Sequence, residues 1–141
     1  MSPLLVACGL LSAQTVYLSE DFQSGFPAGW IANPSTPAAN AWAVPGVTSG
    51  YFTPPAHTTY ADMDDDANQT ASNPNQLLET PVVDLTAATT VYLKYDSYFL
   101  AQAPESASVM YSIDGGTTWA SAGSIPVNLS GWQTKIGSAH G

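Results

Sequence analysis

The chain has 141 residues, enough for one domain, and carries two basic against eleven acidic side chains for a formal charge of −9. Nucleic acid and anionic membrane surfaces are excluded as natural partners, because both need a basic footprint to neutralise phosphates; cations are the natural ligands. Only 9% of residues are charged and 45% are hydrophobic, and eleven Gly and eleven Pro accompany many Thr, Ser, Tyr and Val. That composition favours short strands joined by turns, and no useful amphipathic helical segment is present.

Residues 1–13 read as a signal peptide. Pro3 to Ala13 are apolar or small, and no charge precedes Glu20. Leu11-Ser12-Ala13 offers a small-residue cleavage site, so the expected mature N-terminus lies close to Gln14. The usual positive n-region is missing, and the apolar run is too short to span a bilayer. Leu5-Val6-Ala7-Cys8 also matches a bacterial lipoprotein box, which makes lipidation of Cys8 the alternative to ordinary cleavage, with retention of the segment as a third outcome. Cys8 is the single cysteine, so a cleaved chain has no disulfide, and its core or a metal must hold it together.

The remainder, residues 14–141, reads as one β-domain. Thr15 to Leu18 is the first expected strand, followed by the turn-rich Gly25-Phe26-Pro27-Ala28-Gly29-Trp30. A Pro/Ala/Ser loop leads to a short strand at Trp42-Ala43-Val44, ended by Pro45-Gly46. Thr58 to Met63 is another strand, and Asp64 to Asn75 a polar loop. Gln76 to Leu85 reads as a strand interrupted by Pro81, hence at an edge or bulged. Val91 to Leu100 has the best period-two pattern, with Val91, Leu93, Tyr95 and Phe99 on one face. Residues 106–113 and 117–123 form an expected hairpin, and Trp132 to Ile136 one more strand.

Ser112-Ile113-Asp114-Gly115-Gly116-Thr117-Thr118-Trp119 within that hairpin fits the Asp-box pattern S-x-D-x-G-x-T-W. Ala107, Val109, Tyr111 and Ile113 place apolar side chains on one strand face. Asp114-Gly115 signals a two-residue turn, because glycine supplies positive φ. Asp114 is expected to bond backbone N–H groups across the turn, and Trp119 to be buried over the corner. The motif marks a hairpin and no catalytic site. Strands at this spacing, without helices, predict an all-β fold: an antiparallel β-sandwich or jelly roll.

The sharpest candidate site is Asp62-Met63-Asp64-Asp65-Asp66-Ala67-Asn68. Asp62, Asp64, Asp66 and Asn68 recur at every second residue, a spacing that can wrap oxygen ligands around Ca²⁺. It is not an EF-hand, since Ala67 replaces the turn glycine and Asn73 stands where the bidentate Glu belongs. Carboxylates this close repel one another, which a cation relieves; the alternative is a solvated acidic loop. Tyr51, Phe52 and Tyr60, with Trp30 and Trp42, are candidates for a sugar-stacking platform, against the alternative that both tryptophans are core or corner residues. Catalytic residues are not expected. His57 and His140 are the two histidines, His57 reading as an ordinary loop or strand residue and His140 as part of a disordered end. No G-x-S-x-G elbow and no glycosidase carboxylate pattern is present.

The order of Glu20-Asp21-Phe22, Gly25-Phe26-Pro27-Ala28-Gly29-Trp30, Trp42 and Leu78-Glu79-Thr80-Pro81-Val82-Val83-Asp84-Leu85 resembles that of bacterial cleaved-adhesin domains. These are MAM-like, concanavalin-like jelly rolls found in gingipain adhesin regions and other secreted Bacteroidetes proteins. Tyr92 to Phe99 and the strand before the Asp-box are similar to the next strands of that family. The resemblance implies structural Ca²⁺ held by acidic groups near the first strand and in the later acidic segment, which adds Glu20 and Asp21 to the candidate ligands. The family's usual closing strands are not evident before Gly141; Val127-Asn128-Leu129-Ser130 is the nearest match to the turn that precedes them, so the C-terminal strands are expected to be missing. The expected function is a secreted or cell-surface, non-catalytic binding or adhesion module with an extracellular protein or glycan as partner. The alternative is a carbohydrate-binding accessory domain of an exported hydrolase or protease.

Overall fold

A computed structural model describes residues 14–32, 42–44, 53–64, 76–100, 104–127 and 130–140. The architecture is all-β, with no helix among the described residues. Among the described residues six strands form three small antiparallel sheets: β1 (Ile31–Ala32) with β2 (Leu78–Glu79), β3 (Val91–Ser97) with β6 (Gln133–His140), and β4 (Ala107–Tyr111) with β5 (Ala120–Ile125). An isolated antiparallel bridge joins Ala43 to Asp62. No helix among the described residues is long and apolar enough to cross a membrane.

The longest ladder pairs β3 with β6. Leu93 faces Gly137, Lys94 faces Ile136, and Asp96 faces Thr134, with an irregularity between Val91 and Tyr92. The alternation of Val91, Leu93 and Tyr95 against Tyr92, Lys94 and Asp96 explains why this segment pairs. Leu93, Tyr95 and Gly137 line a shared hollow with Val109 of β4 and Ala122 of β5, so these two ribbons face each other across it.

The first strand expected at Thr15–Leu18 does not form. Val16 is 69% exposed, and among the described residues no partner backbone completes a ladder there. The expected strand at Gln76–Leu85 contracts to Leu78–Glu79, because Pro81 has no N–H to extend the pairing. The expected strands at 42–44 and 58–63 contract to the single Ala43–Asp62 bridge. At the other end the chain does more than its pattern suggested. The strand expected at Trp132–Ile136 runs from Gln133 to His140, and His140, expected to be disordered, pairs with Val91.

The Asp-box connection also differs from a two-residue turn. The loop between β4 and β5 spans Ser112–Trp119, with Gly115 and Gly116 at φ 71° and 88°. Ile113 is 83% exposed and Trp119 is 41% exposed, so Ile113 is not on the inward face that alternation predicts and Trp119 is not the buried corner residue that the motif predicts. The cause is that β4 ends at Tyr111; beyond it, local hydrogen bonds rather than the pleat direct each side chain.

No described hydrophobic side chain is fully buried. The composition allows a sizeable core, yet each two-stranded ribbon can shield only part of one face. Aromatic rings supply part of the packing. Phe22 and Trp30 meet edge to face with ring centroids 5.4 Å apart, and Gly29 closes on Pro81 beside the β1–β2 pair.

Candidate functional site

Asp62 and Asp64 form the acidic centre. Asp64 is the one fully buried residue among those described, at 7% exposure. Asp62 is fixed by its backbone, which exchanges two hydrogen bonds with Ala43 at 2.9 and 3.0 Å. Its side chain is half-buried, and Oδ2 is enclosed without a hydrogen-bond partner. Burial first, and the charge of Asp64 second, raise the Asp62 carboxyl above the ordinary aspartate range. An enclosed carboxylate oxygen without a donor, beside a second carboxylate, is costly unless a proton or a cation compensates it. The indole Nε1 of Trp42, next to the bridging Ala43, is likewise enclosed without a partner.

Glu20 and Asp21 do not join this pair. Glu20 Oε1 accepts the backbone N–H groups of Asp21 and Phe22 at 3.1 and 2.6 Å, and Asp21 Oδ1 accepts that of Gln23 at 3.1 Å. These bonds shape a turn in which Phe22 adopts a left-handed φ of 58°. Among the described residues no three His, Cys, Asp or Glu side chains gather at one point. Asp66 and Asn68, and the aromatic candidates Tyr51 and Phe52, lie outside the described residues.

Tyr60 leads to a second feature. Its ring lies 5.1 Å from that of Trp132, which also meets His57 at 4.2 Å and Tyr98 at 6.0 Å. Trp132 Nε1 donates to the Pro55 carbonyl at 2.9 Å, across 77 positions of sequence. The indole therefore clasps the 53–64 segment, with its two acidic residues, onto the β3–β6 ribbon. Burial, then the charge of Asp62, raises the Tyr60 phenol above its usual value. Tyr60 is thus a packed ring beside the acidic pair rather than a free stacking platform.

His57 completes the clasp. Its Nδ1 is 3.1 Å from Thr58 Oγ1, and its Nε2 is 3.7 Å from Asp96 Oδ2. Asp96 is anchored from the other side by the Thr134 hydroxyl, which donates to Oδ1. Sequence reasoning missed Trp132, Tyr98 and Asp96 as partners of this segment. Their only local signal is the aromatic and acidic positions on and beside β3, which does not reveal what lies opposite.

The Asp-box carboxylate has a different role. Asp114 Oδ1 accepts from Ser112 Oγ and from the Thr118 backbone N–H, both at 2.8 Å, and Oδ2 accepts from Thr118 Oγ1 at 2.6 Å. The Thr118 bonds, then that of Ser112, hold its carboxyl down at about 2. Trp119 Nε1 donates to the Gly116 carbonyl at 3.1 Å. The bonding of Asp114 across the turn agrees with the motif's logic, and these contacts are those of a loop builder.

No family model matches the chain, no curated protein matches it, and no solved structure matches its fold.

Proposed function

We propose that the chain is a secreted or cell-surface, non-catalytic binding or adhesion module of β-sandwich, jelly-roll type, stabilised by Ca²⁺ at its acidic segment. The observation that carries the cation is the enclosed, partnerless Oδ2 of Asp62 beside the buried Asp64. A hard divalent ion supplies the missing charge compensation, and carboxylate oxygens are its preferred donors. Asp62 and Asp64 hold it in this reading, with Asp66 and Asn68 completing the set from the adjoining stretch. The hydrogen-bonded turn of Glu20 and Asp21 leaves those two residues outside the set.

Support for a binding role is the all-β scaffold with exposed loops and apolar strand faces, including Tyr92 at 62% and Ile136 at 68% exposure. Asp114, whose carboxyl is held down at about 2, is occupied with loop structure. The test is binding of the purified chain to arrays of glycans and immobilised extracellular proteins, in Ca²⁺ and in chelator. Saturable binding that chelation removes supports the reading. Absence of binding to either class, or turnover of an arrayed substrate, overturns it.

A further inference from the structure

We propose that the contact between the 53–64 segment and the β3–β6 ribbon is a proton-controlled clasp, closed most firmly when His57 carries a proton. The ring of His57 lies over Trp132, with centroids 4.2 Å apart and planes inclined by 35°. Its Nε2 points toward Asp96 Oδ2 at 3.7 Å, beyond good hydrogen-bond length. With a neutral imidazole this edge contributes little. With an imidazolium the same geometry becomes a charge pair and a cation over an indole face, both of which favour closure.

The surroundings define the sign. From β3, Asp96 faces the ring, and Tyr98 beyond the strand end joins the same aromatic cluster. From β6 and the residue before it come Thr134 and Trp132, both uncharged. From its own segment come the Thr58 hydroxyl and the Tyr60 ring, whose phenol stays neutral near pH 7. Lys94 lies two residues before Asp96 in β3, and Lys135 is cross-strand from Tyr95, on the opposite face from Thr134. Asp96 is therefore the charge that meets the ring, and Thr134 holds it in place. An imidazole gains a proton on acidification, so the clasp responds to pH through the charge pair and the indole face. The His57 and Asp96 side chains are 25% and 44% exposed, so the response is graded by solvent screening rather than all-or-none. This inference stands on the clasp geometry and does not depend on cation binding.

The test follows the Trp132 indole proton by NMR from pH 8 to 5, in the full chain and in His57→Gln, Asp96→Asn and His140→Gln variants. The expected result is that hydrogen-exchange protection of that proton, which is bonded to Pro55, rises several-fold on acidification. The rise should follow the His57 ring titration, survive His140→Gln and disappear in His57→Gln. Asp96→Asn should leave a smaller rise, carried by the indole face alone. Melting temperature should rise over the same interval in the parent more than in His57→Gln, both of which must show a cooperative melt. Equal pH dependence of protection and melting in the parent and His57→Gln would overturn the proposal.

Discussion

Replacing Trp132 with Ala removes the aromatic and hydrogen-bonded connection between the 53–64 segment and the β3–β6 ribbon. The indole is half-buried and contacts three rings. Taking about 100 Å² of buried surface at ~25 cal/mol per Å² gives about 2.5 kcal/mol. Loss of the hydrogen bond to Pro55 adds about 1 kcal/mol, since the carbonyl regains water on opening. The sum, about 3.5 kcal/mol, is a large part of the stability of a domain this size, and lowers Tm by on the order of 10 °C. Trp132→Phe keeps most of the contact area and should cost about 1 kcal/mol. Thermal and urea melts followed by circular dichroism measure both. Limited proteolysis should show new cleavage between residues 53 and 64 in Trp132→Ala alone. A Trp132→Ala chain that melts with the parent and resists cleavage in that segment would refute the clasp as a stabilising element.

Gly29→Ala should destabilise by about 1–2 kcal/mol in a denaturant melt, because Gly29 has φ +82° and an added Cβ would sit 3.3 Å from Pro81. Asp114 has a carboxyl lowered to about 2, so the stability it contributes is present above the unfolded aspartate range and is lost as pH falls from about 4 toward 2. Acid titration of the melt should therefore be flatter in Asp114→Asn over that interval. Asp62 has the opposite sign. Its carboxyl is raised, so its favourable contribution is present at low pH and is lost as pH rises through the folded value. Without a cation, Asp62→Asn should melt at or above the parent at pH 7; with millimolar Ca²⁺ the order should reverse.

The sequence was most legible where one pattern coincides with one local interaction. The period-two run from Val91 locates β3, and the Asp-box locates the connection between β4 and β5 along with the bonding of its carboxylate. It was misleading where a strand needs a partner that the pattern cannot name. Thr15–Leu18 has strand-like residues and no ladder, while Thr80-Pro81 ends β2 almost as it begins. The Asp-box loop shows the same limit: tied by side chains, it sets its own direction, so Ile113, placed inward by alternation, and Trp119, placed over the corner by the motif, are both exposed. For the site, Asp62 and Asp64 were visible as spaced carboxylates. Their enclosure was not visible, because Asp62 is held by a bridge to Ala43 and its segment by the contacts of Trp132. Both depend on contacts far apart in sequence.

The central claim is that the enclosed Asp62 carboxylate belongs to a Ca²⁺ site. Isothermal titration of the metal-free chain with CaCl₂ tests it most directly, alongside the Asp62→Asn and Asp64→Asn double variant. The account predicts saturable Ca²⁺ binding by the parent, weak replacement by Mg²⁺, which demands tighter octahedral geometry, and no binding by the folded double variant. At a hundredfold excess over Kd the bound ion should add about 2.7 kcal/mol of stability. A parent chain that folds cooperatively and takes up no Ca²⁺ at millimolar concentration, or a folded double variant that binds as the parent does, would contradict it.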